Sequence, residues 1–271
     1  MDVPARHNVT VLGPADGQPM LFAHGFGCDQ SMWRFVTPAF VEEFRIVLFD
    51  HMGVGGSDLT SYDADRYASL QGYADDILQI CEALDLREVV FVGHSVSAMI
   101  GVLAELAEPD RFAQLVLVSP SPCYIDDGEY VGGFTGEDID ELLSSLDSNY
   151  LGWSSAMAPA IMGNPDRPEL AHELTASFCR ADPHIARQFA RVTFRSDSRA
   201  DLSQVSTPTL VLQCSNDVIA PIEVGHFVQK AIPGSSLRML DATGHCPNLS
   251  APAETIEAMT DFLHDRTPAG R

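Results

Sequence analysis

Short apolar runs alternate along this chain with longer stretches that carry apolar residues at helix spacing. Predicted strands cover residues 20–23, 45–49, 89–92, 115–118, 209–213 and 236–240. Predicted helices cover residues 73–84, 96–107, 222–231 and 253–263. Such alternation is typical of an α/β fold in which helices cover both faces of a mostly parallel sheet. We also expect a hairpin near residues 7–12.

The alternation stops between residues 120 and 199. Residues 139–146, 153–162, 169–179 and 185–195 are predicted to form short helices separated by Pro, Gly and Asn. An insertion between two parallel strands would lie above the carboxyl ends of the strands, where α/β sheets bind ligands. We therefore expect a core of residues 1–119 and 200–271 and a helical lid of residues 120–199. The alternative is that these helices merely pack on the core.

The length and the charge of the chain limit the classes of function that it can have. The 271 residues, 45% of them hydrophobic, are enough for one catalytic domain with a large core. A formal net charge of −22 argues against a nucleic-acid partner, because phosphate contacts need clustered Lys and Arg. The sequence has no basic segment before a long apolar run at its start and no apolar run of the ~18 residues that a membrane span needs. We expect a cytoplasmic protein without a membrane partner.

The cysteines give no sign of a metal site or a disulfide framework. They lack C-x-x-C spacing, so reduced and mostly buried thiols are expected, with no metal and no other cofactor. Cys246 follows a candidate catalytic histidine, but nothing in the sequence supplies a second base for it. The six are Cys28, Cys81, Cys123, Cys179, Cys214 and Cys246.

The segment FVGHSVS at 91–97 joins an apolar strand to an apolar helix. A G-x-S-x-small turn in this setting is typical of a sharp strand-to-helix turn that exposes a nucleophilic serine. Ser95 is therefore the candidate nucleophile. Ser97 stands where a second glycine is common, and we expect the turn to form with a slight adjustment.

Partners for this serine follow in the order that such a site requires, an acid after a later strand and a histidine after the last strand. Asp217 ends the run TLVLQCSND at 209–217, and His245 follows the predicted strand of residues 236–240. His245 would accept the serine proton as general base, and Asp217 would orient the imidazole. The alternative is that Asp217 caps a turn and His245 lies in a surface loop.

A serine nucleophile also needs an oxyanion hole. The loop HGFG at 24–27 follows the first predicted strand after the hairpin, where such a site takes one of its backbone donors. We assign the N–H groups of Phe26 and Val96 to the hole, with a plain turn as the alternative. The run from Gly53 to Ser57 lacks the lysine of a phosphate loop, so a structural turn is expected there.

Five segments are informative when they are taken together: HGFGCDQ at 24–30, FDHMGVGGSD at 49–58, GHSV at 93–96, SPSPCYIDD at 119–127 and GHCP at 244–247. Together they resemble the RsbQ-like branch of the α/β hydrolases, which contains bacterial regulators of an energy-stress sigma factor and the plant karrikin and strigolactone receptors. The resemblance continues through NYLGW at 149–153, NPDRPE at 164–169 and DPHIARQFA at 182–190. Ser97 departs from the glycine of RsbQ-like proteins.

The resemblance implies an α/β-hydrolase fold with a four-helix lid, inserted after the sixth strand, over a deep apolar pocket. It implies the Ser95, Asp217 and His245 triad and hydrolysis of a small hydrophobic ester or a butenolide-like lactone. A signalling role with a serine phosphatase that carries a PAS domain is implied as well. Carried onto this chain, the substrate pocket would include Phe26, Phe134, Trp153, Phe189 and Phe194.

Other functions stay open. A metabolic carboxylesterase or lactonase without a signalling partner would use the same residues, as would a cofactor-free haloperoxidase or a hydroxynitrile lyase. A dehalogenase or an epoxide hydrolase is disfavoured, because both use an aspartate at the turn that Ser95 occupies.

Overall fold

The computed structural model describes residues 2–264, which are built around a sheet of seven strands. Along the sheet the strands lie in the order β1-β3-β2-β4-β5-β6-β7. All neighbours pair in parallel except β1, which is antiparallel to β3. The strands are β1 (Thr10–Leu12), β2 (Gln18–Ala23), β3 (Phe44–Leu48), β4 (Val89–His94), β5 (Phe112–Val118), β6 (Thr209–Asn216) and β7 (Ser236–Thr243).

The predicted mostly parallel sheet is confirmed, and one detail of the strand count is wrong. The segment before β2 forms a single short strand, β1, which pairs with β3 instead of folding into a hairpin. The helical insertion consequently follows the fifth strand of this sheet and not the sixth.

Helices cover the sheet and form the insertion. Three helices of the insertion begin a few residues before their first apolar positions, because side chains cap their amino ends. Thr135 forms a capping box, and the side chains of Asn149 and Asp182 accept hydrogen bonds from backbone N–H groups in the first turns of their helices. None of the helices within residues 2–264 is long and apolar enough to cross a membrane. The helices are α1 (Val3–Arg6), α2 (Leu70–Ala83), α3 (Val96–Ala107), α4 (Gly136–Ser148), α5 (Tyr150–Met162), α6 (Pro168–Arg180), α7 (Pro183–Phe194), α8 (Ile222–Ala231), α9 (Pro247–Ser250) and α10 (Pro252–His264).

Alternate side chains of the strands enter two separate apolar cores, one on each face of the sheet. On β2, Leu21 and Ala23 face the core that α2, α3 and α8 cover. Met20 and Phe22 face the other core, which α10 covers and which continues into α4, α5, α6 and α7. Both faces of the parallel strands are therefore buried, as their continuous apolar sequences predict.

The sheet and the insertion meet at the carboxyl ends of β2, β4, β5 and β6. Helix α3 approaches β4 so closely that a Cβ atom on Gly101 would lie 2.0 Å from the Phe91 ring. This contact fixes the amino end of α3 directly beyond β4. Ser95 lies at that junction.

Candidate active site

Ser95 connects β4 to α3 in a backbone conformation that residues with a side chain rarely adopt, with φ at 57° and ψ at −124°. Its N–H donates to the Val118 carbonyl of the neighbouring strand over 2.8 Å. Gly93 is required just before the turn, because a Cβ atom there would lie 2.5 Å from the Ser97 carbonyl oxygen. The sharp turn predicted from the sequence is therefore formed.

Ser95, His245 and Asp217 form one hydrogen-bonded chain. The distance from Ser95 Oγ to His245 Nε2 is 2.7 Å, and the distance from His245 Nδ1 to Asp217 Oδ2 is also 2.7 Å. Because a carboxylate only accepts, Nδ1 of a neutral imidazole carries the proton and Nε2 is free to accept from the serine hydroxyl. All three residues are buried.

Backbone donors hold the Asp217 carboxylate in place. Its Oδ1 atom accepts from the N–H of Ile219 at 2.8 Å and from the N–H of Ala220 at 3.1 Å. Oδ2 is thereby left for His245. This aspartate is the last residue of the segment TLVLQCSND and directly follows β6, beside the loop that carries the histidine.

The His245 loop is fastened to the helical insertion. The His245 N–H donates to the Ile161 carbonyl near the end of α5 over 2.8 Å. Gly244, with φ at 94°, leaves no room for a side chain, because a Cβ atom there would lie 2.0 Å from the Met162 carbonyl oxygen. The position of the histidine therefore depends on the insertion as well as on the core.

His94 lies beneath the turn and contacts the loop that carries His245. Its Nε2 atom bonds the His245 carbonyl oxygen over 2.8 Å. Burial lowers the pKa of His94 to about 3, so the ring is neutral and donates through Nε2. Its contact with the backbone of His245 supports the loop that carries this histidine.

The loop at 24–27 faces the amino end of α3. A Cβ atom on Gly25 would lie 2.5 Å from the His94 ring, so the loop approaches the serine turn closely. Among residues 2–264, the N–H groups of Phe26 and Val96 donate to no protein acceptor. Both predicted oxyanion donors are thus unpaired.

Ser97 links this loop to the residues after β3. Its hydroxyl donates to the His24 carbonyl over 2.5 Å, and His51 Nε2 lies 2.7 Å from the same hydroxyl oxygen. The His51 N–H in turn donates to His24 Nε2 over 3.0 Å. The side chain at the position where glycine is common therefore joins three segments of the site.

Ser97 and His51 are a second serine–histidine pair, but its hydrogen bonds run in the opposite direction. The only hydroxyl proton of Ser97 goes to the His24 carbonyl, so His51 must donate to the oxygen and cannot act as its base. Burial holds the pKa of His51 well below its usual range. The other ring nitrogen, Nδ1, contacts no carboxylate or other polar partner in the described part of the chain.

A narrow, mostly apolar cavity lies above Ser95. About 30 Å³ of it is open to the centres of water molecules, room for about two ordered waters. Helices α4, α5, α6 and α7 contribute half of its walls. It is lined by Phe26, Cys28, His94, Ser95, Tyr124, Leu142, Trp153, Met157, Ile161, Leu174, Phe178, Thr193, Phe194, Ile219, His245 and Cys246.

Three of the five aromatic residues expected in the pocket, Phe26, Trp153 and Phe194, lie in these walls. The other two lie behind them. Phe189 stacks on Tyr73 with a ring distance of 4.4 Å and contacts the far side of Phe26, because its helix turns it toward α2. Phe134 lies in a turn whose backbone pairs with residues 124–126, which keeps its ring outside the cavity wall.

Several wall residues were missed by sequence reasoning. Trp153, Met157 and Ile161 recur every four residues on α5, a spacing that marks one helix face and could have suggested the set. Tyr124 lies in the segment SPSPCYIDD, which resembles the RsbQ-like branch. Burial raises the pKa of Tyr124 to about 12, and nearby Ser95 opposes the rise, although the two hydroxyls do not reach hydrogen-bond geometry.

Cys246 is also in the wall, next to His245. Burial raises the pKa of its thiol well above the usual range. Because only a thiolate is an effective sulfur nucleophile, this environment disfavours Cys246 as the reacting group. All six cysteines are free, and five of them are buried.

Comparison with known proteins identifies the class. The model of the alpha/beta hydrolase family matches residues 20–258, and the chain belongs to that family. It is 38% identical to Karrikin insensitive 2 receptor CA of Petunia hybrida over 97% of both chains. It is 39% identical to a probable esterase of Oryza sativa subsp. japonica, covering 97% of this chain and 98% of the relative. A hydrolase from Oleispira antarctica, olei00960, superposes with a TM-score of 0.94 at 41% identity, covering 97% of each chain.

The Ser97 network leads to a prediction about stability. Ser97→Ala removes the hydroxyl and leaves the buried His24 carbonyl and His51 Nε2–H without this partner, so we expect the free energy of unfolding to fall by about 1–3 kcal/mol. Urea denaturation measures this loss. Amide hydrogen exchange in residues 24–27 should become faster in the same variant.

Ser155→Ala is the matched control, because its hydroxyl bonds the Leu151 carbonyl on an exposed helix face. We expect a change within about 0.5 kcal/mol for this surface position. Equal denaturation midpoints for the two variants would show that the Ser97 bonds do not stabilise the site.

Proposed function

We propose that this protein is a serine hydrolase of small, largely apolar esters or lactones, with Ser95 as nucleophile, His245 as general base and Asp217 as the residue that orients the histidine. The observation that carries the proposal is the buried chain of two 2.7 Å hydrogen bonds through Ser95, His245 and Asp217. In this chain the Ser95 hydroxyl donates to His245 Nε2, so the serine proton already points to the nitrogen that must accept it.

In the first half of the reaction, Ser95 Oγ attacks the carbonyl carbon of the ester while its proton moves to His245 Nε2. The imidazolium that forms is stabilised by Asp217, whose second oxygen is held by two backbone N–H groups. His245 then returns the proton to the leaving alcohol oxygen, and an acyl-Ser95 ester remains. For a lactone the leaving alcohol stays attached to the acyl group.

The negative oxygen of the tetrahedral intermediate needs donors that are not already used. The unpaired N–H groups of Phe26 and Val96 support this role. In such sites, loss of one donor costs about 3 kcal/mol of transition-state stabilisation. A water molecule activated by His245 would then attack the acyl-serine, release the acid and restore the serine proton.

We infer that residues 120–199 act as a lid. Helices of this segment form half of the walls of the cavity above Ser95, so a movement of these helices would change the room for a small ester. Partly exposed ion pairs connect α6 to the core: Arg34 with Glu173, and Arg180 with Asp29 at 2.6 Å. Ion pairs near a protein surface typically contribute about 1 kcal/mol or less each, which suits a segment that must move.

A signalling role, as in RsbQ-like proteins with a PAS-domain serine phosphatase, is the finer part of the proposal. It is supported by the segments that resemble that branch and by similarity to a protein named as a karrikin receptor. A shared cytoplasmic location, which the sequence predicts, would bring the two proteins together. A metabolic carboxylesterase or lactonase without a partner is the alternative.

The triad predicts strongly non-additive losses. For hydrolysis of p-nitrophenyl butyrate, Ser95→Ala, His245→Ala and Asp217→Ala should each lower kcat by about 10³-fold or more. The double variant His245→Ala/Asp217→Ala should be little slower than His245→Ala, because the two residues act as one unit.

Two exposed residues, Ser155 and His226, provide matched controls, since Ser155→Ala and His226→Ala remove the same groups from positions outside the cavity walls. Both should keep wild-type kcat. Wild-type activity in Ser95→Ala would contradict the assignment of the nucleophile, and fully multiplicative losses in the double variant would contradict the pairing of Asp217 with His245.

The lid and the signalling role make a joint prediction about rates. If product release or deacylation limits turnover, stopped-flow mixing should show a burst of nitrophenol near one equivalent per protein, followed by a slow steady phase. A serine phosphatase with a PAS domain should be activated by the wild-type protein and not by Ser95→Ala. Fast, burst-free turnover without an effect on the phosphatase would contradict the signalling role and favour a metabolic hydrolase without a partner.

A further inference from the structure

We propose that Thr193 forms a polar subsite in the cavity, which binds an ether, carbonyl or hydroxyl oxygen on a part of the substrate that is not hydrolysed. The preferred substrates would then be small oxygenated esters or lactones instead of hydrocarbon esters. This inference rests on the hydrolase function proposed above and specifies its substrate class.

The Thr193 hydroxyl is buried and unpaired. The residue is 1% exposed and lies in the cavity wall, near the end of α7. Its Oγ1 atom has no hydrogen-bond partner among residues 2–264. A buried hydroxyl without a partner costs free energy, which a ligand oxygen in the cavity can recover.

A local partner is within reach of any helical threonine, because its hydroxyl can donate to the carbonyl four residues earlier. Other helical hydroxyls of this protein make that bond. Thr193 does not bond the carbonyl of Phe189, so its hydroxyl lacks the partner that these other residues have. Among the α-helices of residues 2–264, the hydroxyls that bond in this way are those of Ser154 at 2.7 Å, Ser155 at 3.0 Å, Thr175 at 2.9 Å and Thr255 at 3.0 Å.

A second unpaired hydroxyl lies on the neighbouring wall. The Tyr124 ring contacts the ring of Phe194, the residue after Thr193, at a distance of 5.1 Å. Its hydroxyl also has no hydrogen-bond partner in the described chain. Trp153 is a third wall residue of this kind, because its indole N–H has no hydrogen-bond partner among the described residues.

Apolar side chains form most of the cavity wall, so these few polar groups would decide orientation and selectivity. A site that offers a hydrogen bond discriminates against an analogue that lacks the matching atom, because the buried group of the protein then stays unpaired. A hydrocarbon ester would leave Thr193 without a partner. An ester with an oxygen at the matching position would satisfy it.

The experiment compares substrates that differ by one CH₂-to-oxygen exchange. On the acyl side the pair is p-nitrophenyl butyrate and p-nitrophenyl methoxyacetate; on the alcohol side it is butyl acetate and 2-methoxyethyl acetate. For each pair the ratio of kcat/KM is measured in the wild-type protein and in Thr193→Val. Intrinsic reactivity cancels in this comparison, and valine keeps the shape of threonine.

We expect Thr193→Val to lower the preference for the oxygenated ester about 5- to 10-fold in at least one pair, the size of one lost hydrogen bond. Thr193→Ser, which keeps the hydroxyl, should retain the wild-type ratio. Thr175→Val is the matched control on α6 and should change neither ratio. The melting temperature of Thr193→Val should be unchanged or higher, because an unpaired buried hydroxyl has been removed.

Ratios that stay within twofold of wild type in both pairs would overturn the subsite. This outcome differs from failure of the proposed function. If the protein were not a Ser95 hydrolase, the wild-type protein and Ser95→Ala would release equal amounts of acid from all four esters. Failure of the subsite alone would leave Ser95-dependent hydrolysis in place with unchanged ratios.

Discussion

The hydrogen bond between Ser95 Oγ and His245 Nε2 joins two separate loops, and its 2.7 Å length depends on how each is held. Ser95 is fixed by its unusual backbone conformation and by the bond from its N–H to Val118. His245 is fixed by Asp217 on its ring and by Ile161 on its N–H. A small rotation at either end would separate the two atoms, so the surrounding contacts preserve a single geometry.

The helical insertion holds the His245 loop and also forms part of the cavity above Ser95. The carboxyl end of α5 holds the His245 backbone, while Trp153 and Met157 on the same helix line the cavity. A movement of α5 that admits a ligand would therefore also act on the histidine. In a protein with both an enzymatic and a signalling role, this coupling would let the state of the cavity change the shape of the site.

The parts of the site that are local in sequence could be predicted. The turn around Ser95 follows from a glycine, a serine and a small residue between a strand and a helix, and the strand ends before Asp217 and His245 follow from apolar runs. The Ser97 bonds could not be predicted, since the partners come from segments 73 and 46 residues away. The cavity walls were predicted only in part, because packing of four short helices decides that Phe194 faces inward and Phe189 does not.

Ser95 is the proposed activated hydroxyl, although Ser97 and Cys246 lie close to it in the sequence or in the cavity wall. Brief labelling with a fluorophosphonate and tandem mass spectrometry of the peptides that contain residues 91–97 and Cys246 would test this directly. We expect a single adduct on Ser95 in the wild-type protein and almost none in His245→Ala, because the histidine must accept the serine proton. An adduct on Ser97 or Cys246, or equally fast labelling of Ser95 without His245, would contradict the account.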